Sequence, residues 1–206
     1  MNYLKTFVGA ILAGMSIAIG GLAFLSVDNK VVGATLFTVG LFTVCTMGFN
    51  LFTGKVCYVF QNDREYALAL PIIWIGNLAG TGLIALFASF TRNAPALTEK
   101  AAAMCATKLG DSLGSLFFLG ILCNILIYIA VEGYKNNPHE PGKYLALIFG
   151  VTVFILCGTE HCVADMFYFW IGGAFSGRGI VCLMAITLGN AVGGVLFPVL
   201  RNLQNQ

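Results

Sequence analysis

The sequence predicts an all-α integral membrane protein with six transmembrane helices, arranged as an inverted 3+3 repeat whose second and fifth helices are broken. Three features predict it. Of the 206 residues, 58% are hydrophobic and 10% are charged, whereas soluble domains carry about 25% charged residues. Six apolar runs follow one another with only short polar stretches between them. Two of the runs are too long for one straight crossing, and each holds a polar, glycine-flanked patch near its middle.

The first run covers residues 7–25, with Lys5 just ahead of it. A secretory leader has that outline, but the small residues Gly9, Ala10, Gly14, Gly20 and Gly21 are those that let membrane helices approach closely, so the run counts as the first span. The second run covers residues 31–60. At about 1.5 Å per residue a straight helix of that length would reach roughly 45 Å, against about 30 Å of hydrocarbon. Its interior reads Gly48-Phe-Asn-Leu-Phe-Thr-Gly54, a helix-unfriendly stretch, so a broken helix is expected there. After Gln61-Asn-Asp-Arg-Glu65, a third run at 67–90 holds Gly76-Asn-Leu-Ala-Gly-Thr-Gly82. The fourth covers 112–132 and is followed by the polar stretch from Glu132 to Gly142. A fifth, at 143–170, is interrupted by Gly158-Thr-Glu-His161 and is the second expected break. The sixth, at 177–200, holds Gly189-Asn-Ala-Val-Gly-Gly194.

The patches match across the halves. Gly48 and Gly158 are offset by 110 residues, and the two Gly-Asn clusters by 113. Three spans per half, an odd number, give the halves opposite orientations in a membrane. Residues 1–206 thus form a single transmembrane domain, with repeat one at about 1–97 and repeat two at about 98–206. Irregular backbone at membrane depth is tolerated only where protein buries it or where it lines a wet cavity, so the breaks mark the expected pathway.

The net charge is +2 and the 11 Lys and Arg residues are scattered, which excludes a nucleic-acid partner. With a cytoplasmic N-terminus, six positive residues fall on that side and five on the other, which leaves orientation open. The seven cysteines include no CxxC pair and read as small packing residues.

Ionisable residues within a span are costly and point to function. Glu160 and His161 are such a pair. His161 can exchange a proton near neutral pH, a service that a weak-acid substrate needs; its alternative role is to pin the broken helix by hydrogen bonds. Glu160 reads as structural support, a carboxylate facing a neighbouring subunit or a half-helix end. In the other break, the Thr53 hydroxyl can donate to an anion or to His161, and Leu51 and Phe52 can form an apolar constriction, unless the segment is a plain turn before Gly54. Lys108, just ahead of the fourth run, can attract anions to a vestibule or can snorkel to solvent. Asn77, Asn124 and Asn190 lie in apolar runs, where hydrogen bonding between helices is their default role. No HExxH zinc motif, phosphate loop or GxSxG elbow is present. His161 and Asp165 stand four apart without a third ligand, so neither a metal nor a cofactor is expected.

Together these motifs resemble the formate/nitrite transporter family over nearly the whole chain. The resemblance rests on Asn50-Leu-Phe-Thr-Gly54, Lys108 with Gly120-Ile-Leu-Cys-Asn124, Glu160-His-Cys-Val-Ala-Asp-Met166 and the two Gly-Asn clusters. It implies an aquaporin-like fold, a homopentamer with one pore per subunit, and both termini in the cytoplasm. It also implies that Leu51, Phe52 and Thr53 form the loop at the central constriction and that His161 is the polar group between two hydrophobic narrowings. Lys108 would then be the cation of the outer vestibule, and Asn190 would sit near His161 and Thr53. Two positions depart from the family pattern: Thr159 replaces an aromatic residue and Asp165 replaces an asparagine. Thr159 would widen or wet the pore.

The expected function is therefore a channel or transporter for small monovalent anions of weak acids, such as formate, nitrite or hydrosulfide. It would be linked to protons through the neutral acid, and the protein would be a multi-pass resident of a bacterial cytoplasmic (inner) membrane. Two alternatives remain in the sequence. A neutral-solute channel of aquaporin type should carry Asn-Pro-Ala at both breaks, and neither has it. An intramembrane enzyme using Glu160 and His161 would need a nucleophile or metal beside them.

Overall fold

The computed structural model describes residues 2–204, and every regular element among them is helical. The helices are α1 (Tyr3–Leu25), α2 (Lys30–Met47), α3 (Phe52–Val56), α4 (Arg64–Ser89), α5 (Ala94–Gly110), α6 (Leu113–Asn136), α7 (Glu140–Leu156), α8 (Cys162–Ile171) and α9 (Gly177–Gln204); a 3-10 turn at Val59–Gln61 follows α3. Local sequence sets many of the starts. Side-chain oxygens of Asn2, Asn29, Asp63 and Ser112 accept backbone amides of the first turns of α1, α2, α4 and α6.

Both long runs break where the sequence predicts. α2 ends at Gly48 and α7 closes just before Gly158; these residues have φ of +72° and +66°, in the left-handed region that costs glycine least. The chain then runs extended for a few residues before α3 and α8 begin.

Matching helices pack in matching ways. α1 lies along α4 and α6 along α9, while α2 packs on α1 and α7 on α6; α2 and α7 meet between the two halves. The glycine clusters make the close contacts. A Cβ on Gly80 would lie 2.1 Å from the Ile11 carbonyl oxygen, and one on Gly193 would lie 2.2 Å from that of Ile121. Only hydrogen fits at either contact.

The structure departs from the sequence reading in two places. Residues 91–111, expected as a connection, contain the 17-residue α5. Its buried residues Leu97, Ala101, Cys105 and Lys108 recur at helical spacing and face α8. A stripe that narrow falls below what hydropathy detects. α6 also runs on through Asn136, because Glu132 finds Arg201 and Tyr58 as partners instead of solvent. Five helices are long and apolar enough to cross a membrane by length and composition: α1, α2, α4, α6 and α9. α7 is 17 residues and α8 is 10. All seven cysteines are free and five are buried, in keeping with a packing role.

Candidate functional site

Each break is held by one asparagine through the same three bonds. At the first, Asn77 accepts the Phe52 amide through Oδ1 (2.9 Å) and donates through Nδ2 to the carbonyls of Asn50 (2.9 Å) and Ala10 (2.8 Å). At the second, Asn190 accepts the Cys162 amide (2.8 Å) and donates to the carbonyls of Glu160 and Gly120 (both 2.8 Å). These bonds satisfy backbone groups that the missing helical turns leave without partners. Asn190 is fully buried, and all three of its bonds go to backbone; it lines neither of the cavities described below. Asn124 joins the two breaks, donating to the Asn190 carbonyl (2.7 Å) and the Thr53 carbonyl (3.1 Å).

His161 caps α8. The amide of Ala164 donates to its Nδ1 at 3.1 Å, so that nitrogen keeps its lone pair. The neutral ring then carries its proton on Nε2, which donates to Thr53 Oγ1 at 3.0 Å. Phe154 stacks on the ring, with centroids 5.7 Å apart. Thr53 therefore serves His161, one of its two expected partners. Leu51 occupies the place in the first break that His161 holds in the second: it precedes α3 as His161 precedes α8, but has no side-chain cap to offer.

Lys108 lies at the C-terminal end of α5 and is buried. Its Nζ bonds Glu160 and sits 2.9 Å from Asp165 Oδ1. A lysine snorkelling to solvent does not describe this geometry. Glu160 turns to Lys108 of its own chain. Asp165, weighed in the sequence only as a departure from the family pattern and as a possible metal partner of His161, joins this cluster, although the criterion that singles out Glu160, an ionisable group in an apolar run, applies to it equally. His161 and Asp165 engage different partners and do not converge on a common point.

Two cavities approach the breaks from opposite ends of α2. The first, about 350 Å³, is lined by Phe24, Lys30, Phe37, Phe154, Thr159, Glu160, His161 and Asp165 among others, with Lys108 at its wall. The Thr159 hydroxyl is engaged by the Phe154 carbonyl (2.9 Å) at the end of α7. The second cavity, about 330 Å³, reaches Leu51 and is lined by Leu41, Val44, Val131, Lys55 and Lys135 among others; among the described residues no carboxylate lines it. Thr53 and Phe52 are buried and line neither. Nothing near Lys30, Lys55 or Lys135 in the sequence assigns them to a cavity; only the fold brings them to the cavity walls.

Long apolar helices, two of them broken at depth, and cavities reaching both breaks from opposite ends define a multi-pass helical membrane protein of the transporter class. Comparison with known proteins agrees. The family model described as formate/nitrite transporter matches residues 1–203. The nitrite transporter NirC of Salmonella typhimurium is 30% identical, over 95% of this chain and 81% of its own length. Two solved structures superpose closely. A pentameric formate channel with formate bound has a TM-score of 0.81 at 26% identity, covering 98% of this chain and 96% of its own. An ion channel of the same family has a TM-score of 0.88 at 26% identity, covering 100% and 91%. This chain belongs to the formate/nitrite transporter family, whose members are transporters and channels. The intramembrane-enzyme alternative is thereby set aside.

Proposed function

We propose that this protein conducts small monovalent anions of weak acids across a bacterial cytoplasmic membrane, as a homopentamer with one pathway per subunit, and that the ion crosses as its neutral acid. The relatives named for nitrite transport and for a formate-bound pentameric channel support the substrate class and the assembly. In this reading the chain crosses the bilayer six times, in an aquaporin-like inverted 3+3 repeat. α2 with α3, and α7 with α8, each make one broken crossing. The paired asparagine bonds and the 110-residue offset between the breaks support the repeat. Exposed large hydrophobics such as Phe87, Phe90, Phe118 and Leu122 suit a lipid-facing surface.

The observation that carries the reading is the composition of the passage. Phe37 and Phe154 line the first cavity beside His161, and Leu41, Leu51 and Val131 line the second. A bare anion entering such surroundings costs on the order of 20 kcal/mol in an idealised Born estimate, whereas an unpaired neutral polar group costs roughly 2–7. Protonation removes most of that barrier. The lysines of the second cavity, with no carboxylate beside them on its wall, raise the local anion concentration and favour an anion over a neutral solute. Because the Nδ1 of His161 is committed to the Ala164 amide, the ring acts as a hydrogen-bond donor through Nε2, with Thr53 as its resting acceptor. Formate, nitrite and hydrosulfide all fit this chemistry.

Stopped-flow flux of these three ions into proteoliposomes, at two pH values, for the wild type and His161→Ala, tests the reading. Uptake is expected to rise as external pH falls and to change about tenfold in the variant, the effect of one hydrogen bond of roughly 1–1.5 kcal/mol at the barrier. Flux that is flat with pH in both proteins would remove the neutral-acid step, and no flux for any ion would return Glu160 and His161 to purely structural roles.

A further inference from the structure

Lys108 is one ammonium held between two carboxyls. If both Glu160 and Asp165 were ionised, the cluster would carry one uncompensated negative charge in the wall of the first cavity. The geometry makes that state costly, because Asp165 is 1% exposed and its Oδ2 has no hydrogen-bond partner. No described protein group satisfies that oxygen, and an ionised oxygen without a partner in a low-dielectric interior is strongly disfavoured.

We propose that Lys108, Glu160 and Asp165 form a proton-binding site, and that its occupancy switches the charge of this cluster, in the wall of the first cavity, between neutral and singly negative. The bound proton is shared by the Glu160 and Asp165 carboxyls, which approach the same ammonium and repel each other when both are charged. It comes from hydronium in the cavity that both residues line, and binding leaves a carboxylic acid and water. A proton is the ligand that an enclosed oxygen can accept without displacing side chains. Asp165 supplies the second carboxyl: Lys108 with Glu160 alone would be a balanced pair.

Among the described residues, no cation other than Lys108 pairs with either carboxyl. Cys105 of α5, Cys123 of α6, Cys182 of α9, and Cys162 and Tyr168 of α8 are thiols and a phenol, uncharged near neutral pH. α1 and α4 present no ionisable side chain to this cavity. Lys30 of α2 lines the same cavity, with its Nζ 3.3 Å from the Leu156 carbonyl. His161 also faces it, with both ring nitrogens engaged. The proton site stands on this geometry alone. Its effect on transport rests on the pathway proposed above: with the proton lost, an anion in the first cavity meets one more negative charge in the wall than with the proton bound.

The two parts separate experimentally. Infrared difference spectra of the pentamer in lipid, recorded across a pH titration, should show a carboxylic-acid C=O band that disappears as pH rises. Asp165→Asn should lack it. Glu160→Gln should lack it as well, and it answers the same question should Asp165→Asn fail to assemble. Absence of the band in the wild type at every pH, or its persistence in both variants, would overturn the proposal. For transport, the ratio of Asp165→Asn flux to wild-type flux cancels the substrate's own titration. That ratio should climb on the order of tenfold with rising pH on the first-cavity side, as one unit charge near the path implies. A ratio independent of pH would sever the site from anion access while leaving the infrared result to stand.

Discussion

Thr53 and His161 come from different halves of the chain, and a single hydrogen bond joins them. Removing the acceptor leaves the Nε2 proton of a buried ring without a partner, which costs about 1–3 kcal/mol. Thr53→Val keeps the shape of the side chain and loses the oxygen; Thr53→Ser keeps the oxygen and loses a methyl group. The valine variant is therefore expected to melt earlier than the serine variant in detergent, followed by intrinsic fluorescence. A serine variant as destabilised as the valine one would show that packing, and not the bond to His161, is what Thr53 contributes. His161 and Glu160 are conspicuous in the sequence because charge is rare in apolar runs. The sequence offered Thr53 as one partner for His161, but the partner of Glu160 was not legible. The Lys108–Glu160 contact joins residues 52 apart, and nothing near either position encodes the other.

Helices α1 and α4, and likewise α6 and α9, approach so closely that carbonyl oxygens face Gly80 and Gly193. A methyl group at either site forces the pair apart or distorts it, and overpacking of that kind costs typically about 1–3 kcal/mol. Gly80→Ala and Gly193→Ala should each lower the melting temperature measurably. Gly110→Ala, where an added Cβ meets nothing within 4 Å, should not. Equal melting for all three would mean that these contacts are slack. At the loop between α1 and α2, Lys100 of α5 donates to the Leu25 carbonyl at 3.0 Å and to Asp28 at 2.8 Å. The hydrogen bond from Lys100 holds the Asp28 carboxyl below its ordinary pKa. A carboxyl depressed in the folded state contributes stability above its unfolded pKa and loses it as pH falls through the folded value. Asp28→Asn should thus narrow the small stability difference between neutral and strongly acid conditions; an unchanged difference would leave the tether without energetic weight. α5 itself escapes the hydropathy pattern because its buried stripe is narrow and the rest of its surface is polar or small.

Across the whole molecule, the order of the apolar runs, the positions of the two breaks and the Gly-Asn clusters were legible in the sequence. Each depends on local properties: hydropathy over about 20 residues, glycine where φ is positive, and small residues where helices touch. Family membership followed from those same motifs. Tertiary structure alone decided that Asn77 and Asn190 would hold the breaks, that Asn124 would bridge them, and that α5 would carry Lys108 to Glu160 and Asp165. The physical reason is distance along the chain. A hydrogen bond or ion pair between remote residues exists only once helix packing brings its two ends together, so the sequence determines which groups are available and the packing determines which of them meet.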